Sequence, residues 1–214
     1  MSEAIPANRV LILFAHPALE KSRVNRALAE AVRDLDGVTF HDLYELYPAF
    51  DIDVDREQRL LEQHPVIVWQ HPLFWYSTPA ILKEWQDLVL EHGWAYGSEG
   101  KALHGKLLVS AITSGGSEEA YQPAGYNRHT LAQLLAPVAQ TASLCGMRWL
   151  PPFAVHGTLR MTADAIVAHA ADYRRLIEAL RDDRLDLDAA AGVARLNADL
   201  DTLLIGSTSA KGEG

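Results

Sequence analysis

Three loops of this chain carry residue types that suit the binding of a flat ligand with a phosphate group. Residues 16–25, HPALEKSRVN, lead into a helix whose free backbone N–H groups would attract the phosphate. Residues 71–77, HPLFWYS, supply aromatic surface for a planar ring. Residues 113–117, TSGGS, contain adjacent glycines, which let the backbone approach a ligand closely and donate N–H groups to it.

Hydrophobic runs of strand length precede these loops, and helical patterns follow them. The predicted strands are residues 9–15, 38–43, 66–69, 106–113 and 153–156. Helices are predicted from Ser22 to about 35, from 53 or 55 to about 63, from a cap at Ser77 or Thr78 to about 92, over 131–142 with a break at Pro137, and from a cap at Thr162 to 180.

Alternating strands and helices predict an α/β fold with a parallel sheet. Five such units with right-handed crossovers fit a flavodoxin-like, doubly wound, five-stranded parallel sheet of order 2-1-3-4-5. Strands 1, 3 and 4 are neighbours in that order, and ligands bind at the carboxyl ends of such strands. The three loops are therefore expected to converge on one site.

Composition limits the class of protein. A chain of 214 residues that is 49% hydrophobic can bury one sizeable core, predicted for residues 1–181. A net charge of −9 argues against a nucleic-acid partner. A single cysteine and nine histidines without ligand spacing predict no metal site. The sequence contains neither a run of 18 apolar residues nor a signal-peptide core, so a cytoplasmic protein is expected.

The end of the chain differs in composition from the rest. Beyond Arg181 the sequence becomes acidic, and a further helix is predicted from Val193, Leu196, Leu200 and Leu203. Residues 182–205 are predicted to be an acidic helical extension that packs on the domain or on a partner, and residues 206–214 a flexible tail.

Most candidate site residues have two interpretations. Ser22 either hydrogen-bonds a phosphate, with Arg23 adding charge and Asn25 bracing the loop, or is only a helix cap. The four large residues 73–76 either line a flat ring such as a flavin or are core or dimer contacts. Tyr121 and Asn127 lie further along the third loop and could reach over the ring.

Residues 8–180 resemble a known family through the segments AHP, SRVN, HPLFWYSTPAILKEW, HGWAYG, TSGGSEEAY and GYN. The chain is similar to the NAD(P)H:quinone oxidoreductases among the flavodoxin-like flavoproteins, and within them to the ancillary proteins of glutathione-regulated potassium-efflux systems. The resemblance implies FMN or FAD, a homodimer with sites at the subunit interface, and two-electron, ping-pong hydride transfer from NAD(P)H through flavin N5 to a quinone.

The resemblance also assigns roles by motif. The residues implied for the ribityl and phosphate end are His16, Ser22, Val24 and Asn25. Those implied for the ring are Pro72, Leu73, Phe74, Trp75 and Tyr76. Those implied for its polar edge are Thr113, Ser114, Gly115, Gly116 and Tyr121.

One departure from the family pattern bears on function. Where family members often have a histidine near the flavin, this chain has Asn127, which donates a hydrogen bond but cannot shuttle a proton. Tyr121 is the candidate donor to developing negative charge. Three functions remain open: a quinone reductase, a regulatory subunit held at the inner membrane by the cytoplasmic domain of a potassium-efflux transporter, or another flavin protein, such as an azo- or nitroreductase or an electron carrier.

Overall fold

The computed structural model of this chain describes residues 10–206. One parallel sheet contains β1 (Val10–Phe14), β2 (Val38–Asp42), β3 (Val66–Pro72), β4 (Leu107–Thr113), β5 (Arg148–Trp149) and β6 (Phe153–Val155). The α-helices of this part are α1 (Arg23–Val32), α2 (Leu43–Leu46), α3 (Val54–Glu62), α4 (Ala80–Val89), α5 (Leu131–Leu134), α6 (Ala136–Leu144), α7 (Ala163–Arg181), α8 (Leu187–Ala191) and α9 (Leu200–Leu203). The predicted strand start at Arg9 and residues 207–214 of the predicted tail lie outside the described residues.

The strand order is β2-β1-β3-β4-β5, with β6 also paired to β4. The predicted flavodoxin-like order is therefore confirmed. The strand predicted at 153–156 is confirmed as β6, which ends at Val155, and β5 is an additional short strand that the sequence analysis missed. β5 pairs with the start of β4 and β6 with its end. Pro151 and Pro152 separate them, and proline has no N–H with which to continue a ladder.

The core lies on both faces of the sheet, as expected for parallel strands. Every residue of β3 is buried, and alternate side chains point to opposite faces. Val66 and Val68 lie in the cluster that includes α1 and α7, whereas Ile67 and Trp69 lie in the cluster that includes α3, α4 and α6. This two-sided burial holds the strand ends, and so the loops that follow them, in a fixed arrangement.

Most helices begin where the sequence predicts a capping residue. The side chains of Ser22, Asp53 and Thr162 accept hydrogen bonds from the first turns of α1, α3 and α7, so these predicted caps are confirmed. Pro137 lies in the first turn of α6, which confirms a second helical segment after α5.

The start of α4 was predicted wrongly. The residue that precedes the helix is Pro79, and no side chain caps it. Ser77 is unavailable because its backbone N–H and carbonyl pair with those of Phe74 in a tight two-residue turn. The chain reaches helical geometry only beyond that turn.

The segment after α7 forms two short helices, α8 and α9, instead of the predicted single helix. Leu196 and Leu203 are buried in the same cluster as α1 and α7. Asp182 pairs with Arg181 and Arg184. The structure thus does not show a separate acidic appendage, and the domain boundary at residue 181 stays a prediction.

Candidate functional site

Two adjoining clefts open at the carboxyl ends of β1, β3 and β4, and both are lined by Leu73. The larger has a volume of about 590 Å³; the predicted residues lining it are His16, Ser22, Arg23, Val24, Asn25, Pro72, Leu73, Phe74, Thr113 and Gly115. The smaller has a volume of about 300 Å³; the predicted residues lining it are Leu73, Trp75, Tyr76, Gly116, Tyr121 and Asn127. The structure therefore brings the three predicted loops together.

Ser114 is the exception among the predicted residues, since it lines neither cleft. Its hydroxyl donates to the carbonyl of Gly116 at 3.1 Å, so the His156 ring, with Nδ1 at 2.8 Å from the hydroxyl, must act as the donor to it. Ser114 thus shapes the glycine turn from behind rather than facing a ligand.

One end of the larger cleft suits a phosphate. The backbone N–H groups of Arg23 and Val24, in the first turn of α1, have no acceptor within residues 10–206. They add to the positive end of the helix dipole, and the cationic side chains of Lys21 and Arg23 line the same cleft. Ser22 caps the helix and also lines the cleft, so its two interpretations are compatible.

His16 contributes to this end as a neutral ring. Burial lowers its pKa below the ordinary value, although the charge of Glu20 opposes this effect. The N–H of Ala18 donates to His16 Nδ1 at 3.1 Å, which places the proton of the neutral ring on Nε2. His16 can therefore donate one hydrogen bond from Nε2.

Asn25 joins the first loop to the third. Its amide nitrogen donates to Thr113 Oγ1 at 2.7 Å and to Ser22 Oγ at 3.2 Å. The side chain is only 2% exposed, yet its carbonyl oxygen Oδ1 has no partner within the described chain. A buried acceptor of this kind costs free energy unless a donor reaches it, and the hydroxyls of a ribityl chain are such donors. The site thus fits the middle of a flavin nucleotide.

The second loop is a strained aromatic turn. Phe74 and Ser77 exchange backbone hydrogen bonds at 3.2 and 3.0 Å, and the two residues between them, Trp75 and Tyr76, have φ angles of 48° and 65°. Left-handed geometry in residues other than glycine costs about 1–3 kcal/mol each and is concentrated at binding sites. Trp75 is 93% exposed, so its ring provides apolar surface that the chain itself does not cover.

The third loop provides donors beside that turn. The N–H groups of Gly115 and Gly116 have no acceptor in the described part of the chain. A Cβ on Gly116 would lie 3.2 Å from the Tyr121 ring, so the backbone and that ring are in close contact. Tyr76 donates to Asn127 Oδ1 at 3.3 Å, which leaves the amide nitrogen of Asn127 free to donate.

Sequence reasoning missed a fourth loop. Thr158 and Leu159, which follow β6, line the larger cleft, and His156 packs against Tyr121 with ring centroids 5.3 Å apart. The signal was present, because the carboxyl end of the fifth strand lies at the same edge of the sheet as the other loops. Ala18, Lys21, Ala120 and Tyr126 were also missed.

Residues 8–177 match the family model described as flavodoxin-like fold. The chain belongs to this family. A solved structure of general stress protein 14 from Treponema denticola, in complex with FMN, is 39% identical with a TM-score of 0.77, over 80% of this chain and 99% of that one. A structure titled NADPH-quinone reductase from P. pentosaceus is 33% identical with a TM-score of 0.72, over 78% and 96%.

One relative is named for a potassium-efflux system. The glutathione-regulated potassium-efflux system ancillary protein KefG of Serratia proteamaculans (strain 568) is 47% identical over 165 residues, which are 77% of this chain and 90% of that protein. The relationship expected from the motifs, to quinone reductases and to these ancillary proteins, is thus confirmed. Within residues 10–206, no helix has the length and apolar character needed to cross a membrane.

Proposed function

We propose that this chain binds FMN at the joined clefts and uses it to reduce quinones with NAD(P)H. The observation that carries the proposal is the set of unpaired polar groups around an uncovered aromatic turn. Free N–H groups of α1 and of the glycine pair, and the unpartnered Asn25 Oδ1, lie around the same cleft system. The FMN in the related general stress protein 14 supports FMN over FAD.

The residues divide the binding between them. The first turn of α1, with Lys21 and Arg23, would hold the phosphate, and Asn25 Oδ1 would accept from a ribityl hydroxyl. Leu73, Phe74 and Trp75 would cover the ring and exclude water from it. This division matches the roles implied by the resemblance.

Bound FMN would supply two-electron hydride chemistry, which protein side chains lack. The N–H groups of Gly115 and Gly116 and the amide nitrogen of Asn127 would donate to the polar edge of the ring and stabilise negative charge there. The Tyr121 hydroxyl, which lines the smaller cleft, would donate in the same way. Neither Tyr121 nor Asn127 needs to transfer a proton in this scheme.

The two substrates would bind alternately above the ring, which is the structural basis of ping-pong kinetics. The exposed ring of Tyr126 lines the smaller cleft and could stack on either a nicotinamide or a quinone. We further propose a homodimer in which a second copy covers the exposed turn at Trp75. Its uncovered apolar surface supports this assembly.

Purified protein reconstituted with FMN is expected to be yellow and to oxidise NADPH only when a quinone is present. Steady-state rates at several quinone concentrations should give the parallel double-reciprocal lines of a ping-pong reaction. A protein that stays colourless after incubation with FMN and FAD would contradict the flavin proposal. If the flavin-bound protein oxidises NADPH no faster than free FMN does, the quinone reductase activity is contradicted and the regulatory role becomes the favoured function.

Replacing Trp75 with glycine is expected to weaken FMN binding about tenfold, because the ring loses an aromatic contact worth about 1.4 kcal/mol. Stability should change by less than about 1 kcal/mol, since glycine relieves the left-handed strain. Titration of apoprotein by flavin fluorescence and urea unfolding measure the two effects. Phe50, with φ 62°, lies outside both clefts, so Phe50→Gly is the matched control and should leave FMN affinity unchanged. If the Trp75→Gly protein binds FMN as tightly as the wild type, the flavin ring does not contact Trp75.

The relationship to KefG supports a second candidate function, regulation of a potassium-efflux transporter through its cytoplasmic domain. This role would hold the protein at the inner face of the membrane. Co-expression with a tagged transporter domain and size-exclusion chromatography would test it. A stable complex whose formation depends on FMN would link the two roles, whereas separate elution at micromolar concentration would contradict the regulatory one.

A further inference from the structure

The segment after α7 is fastened to the open edge of the sheet at β6. The side-chain amide of Asn197 forms two hydrogen bonds of 2.9 Å with the backbone N–H and carbonyl of Ala154. The N–H of Leu196 donates to the carbonyl of Pro152 at 2.9 Å, and the Leu196 side chain is fully buried. These bonds occupy the edge where a further strand would pair, and they fix the position of the neighbouring residue, Arg195.

Arg195 reaches from this segment to the loop at the candidate site. It forms an ion pair of 2.6 Å with Glu118, the first residue of the short 3-10 turn Glu118–Tyr121. The same turn ends in Tyr121, which lines the smaller cleft and packs against His156. A cavity of about 270 Å³ is lined by residues of both parts, among them Arg195, Glu118 and Tyr121.

We propose that Arg195 is a positioning residue: through Glu118 it holds the turn that places Tyr121 and the glycine N–H groups against the flavin. This inference rests on the proposed flavin site. The segment that carries Arg195 lies beyond residues 8–177, the part that matches the family model. The family resemblance therefore assigns no role to the Arg195–Glu118 ion pair, which we call the brace. The Arg195 side chain is 23% exposed, and its backbone lies two residues from Asn197, whose hydrogen bonds to Ala154 fix the segment. Arg195 therefore has little freedom to move away from Glu118.

The effect is expected on the site rather than on overall stability. Glu118 is 49% exposed, and an ion pair at this exposure adds little to the stability of the fold. Arg195→Gln should therefore fold normally while the turn becomes more mobile. FMN affinity is expected to fall about fivefold, and amide hydrogen exchange over residues 114–127 of the flavin-free protein should quicken several-fold.

The experiment compares Arg195→Gln, Glu118→Gln and the exchanged pair Arg195→Glu with Glu118→Arg, with Arg184→Gln as the control. Arg184 lies in the same segment, but its ionic partner is Asp182. Each single site variant should show both changes, the exchanged pair should recover most of the wild-type exchange rate, and the control should show neither change. Glu118→Gln keeps the test decisive if Arg195→Gln does not fold.

The outcomes separate this inference from the proposed function. If the wild type binds FMN but neither single variant alters affinity or exchange, the brace is overturned and the flavin site stands. If the wild type binds no flavin, the proposed function and the positioning role both fail, even if the exchange of residues 114–127 still depends on the ion pair.

Discussion

Replacing Glu57 with leucine is expected to cost about 3–5 kcal/mol of stability, because it removes one partner of a buried ion pair. Glu57 lies in α3, is fully buried, and faces β2 and α4. Its carboxylate accepts hydrogen bonds from Tyr47 Oη at 2.6 Å and Trp85 Nε1 at 2.9 Å, and lies 2.8 Å from His41 Nε2. Leucine would leave these three groups buried without a partner.

Low pH should reduce the stability that the buried Glu57 carboxylate contributes. Burial raises the pKa of Glu57. The hydrogen bond and the charge of His41, together with the hydrogen bonds from Tyr47 and Trp85, outweigh this effect and hold the pKa below its ordinary value. A carboxyl group with a lowered folded-state pKa contributes stability that is complete above the unfolded pKa of about 4.3 and is lost as pH falls through the folded pKa. Glu57→Gln should therefore flatten the loss of stability below about pH 4.3.

Urea unfolding at several pH values measures both effects. Asp55→Asn is the control, because Asp55 is an exposed carboxylate of the same helix and should change stability by less than about 1 kcal/mol. A Glu57→Leu protein within about 1 kcal/mol of the wild type would mean that apolar packing replaces the polar cluster at no cost, as has been seen for some buried ion pairs.

Asn25→Asp is expected to weaken FMN binding about a hundredfold, equivalent to about 2.7 kcal/mol. The substitution keeps the shape of the side chain but places a carboxylate beside the ribityl chain, next to the first turn of α1 that would hold the phosphate. A negative charge there would repel the FMN phosphate, and at 4 Å with an effective dielectric constant of 20 such repulsion reaches about 4 kcal/mol. It would also replace the amide donor that now reaches Thr113.

Riboflavin is the matched control ligand, because it has the ring and the ribityl chain but no phosphate. The Asn25→Asp protein should lose much less affinity for riboflavin than for FMN in the same fluorescence titration. Equal losses for both ligands would show that Asn25 contacts the sugar chain but does not sense the phosphate. Unchanged FMN affinity would show that the phosphate does not bind at the N-terminus of α1.

The sequence by itself determined the strand order and which loops meet at the candidate site. Buried strands of a parallel sheet must be apolar on both faces, so they stand out as hydrophobic runs between helical patterns. The handedness of crossovers then leaves few possible orders, and the order determines which loops meet. That is why residues as far apart as Arg23, Trp75 and Gly116 could be predicted from the sequence to lie around the two adjoining clefts.

Only the tertiary structure decided how individual side chains are used. Asn25 meets Thr113, 88 positions away, and Ser114 turns from the cleft toward His156, because hydrogen bonds between distant residues leave no local pattern. The additional strand β5 was missed because its two residues, Arg148 and Trp149, are too few to give a strand pattern in the sequence. The acidic composition after Arg181 suggested an appendage, whereas burial of Leu196 and Leu203 in the main cluster is a matter of packing geometry that composition does not encode.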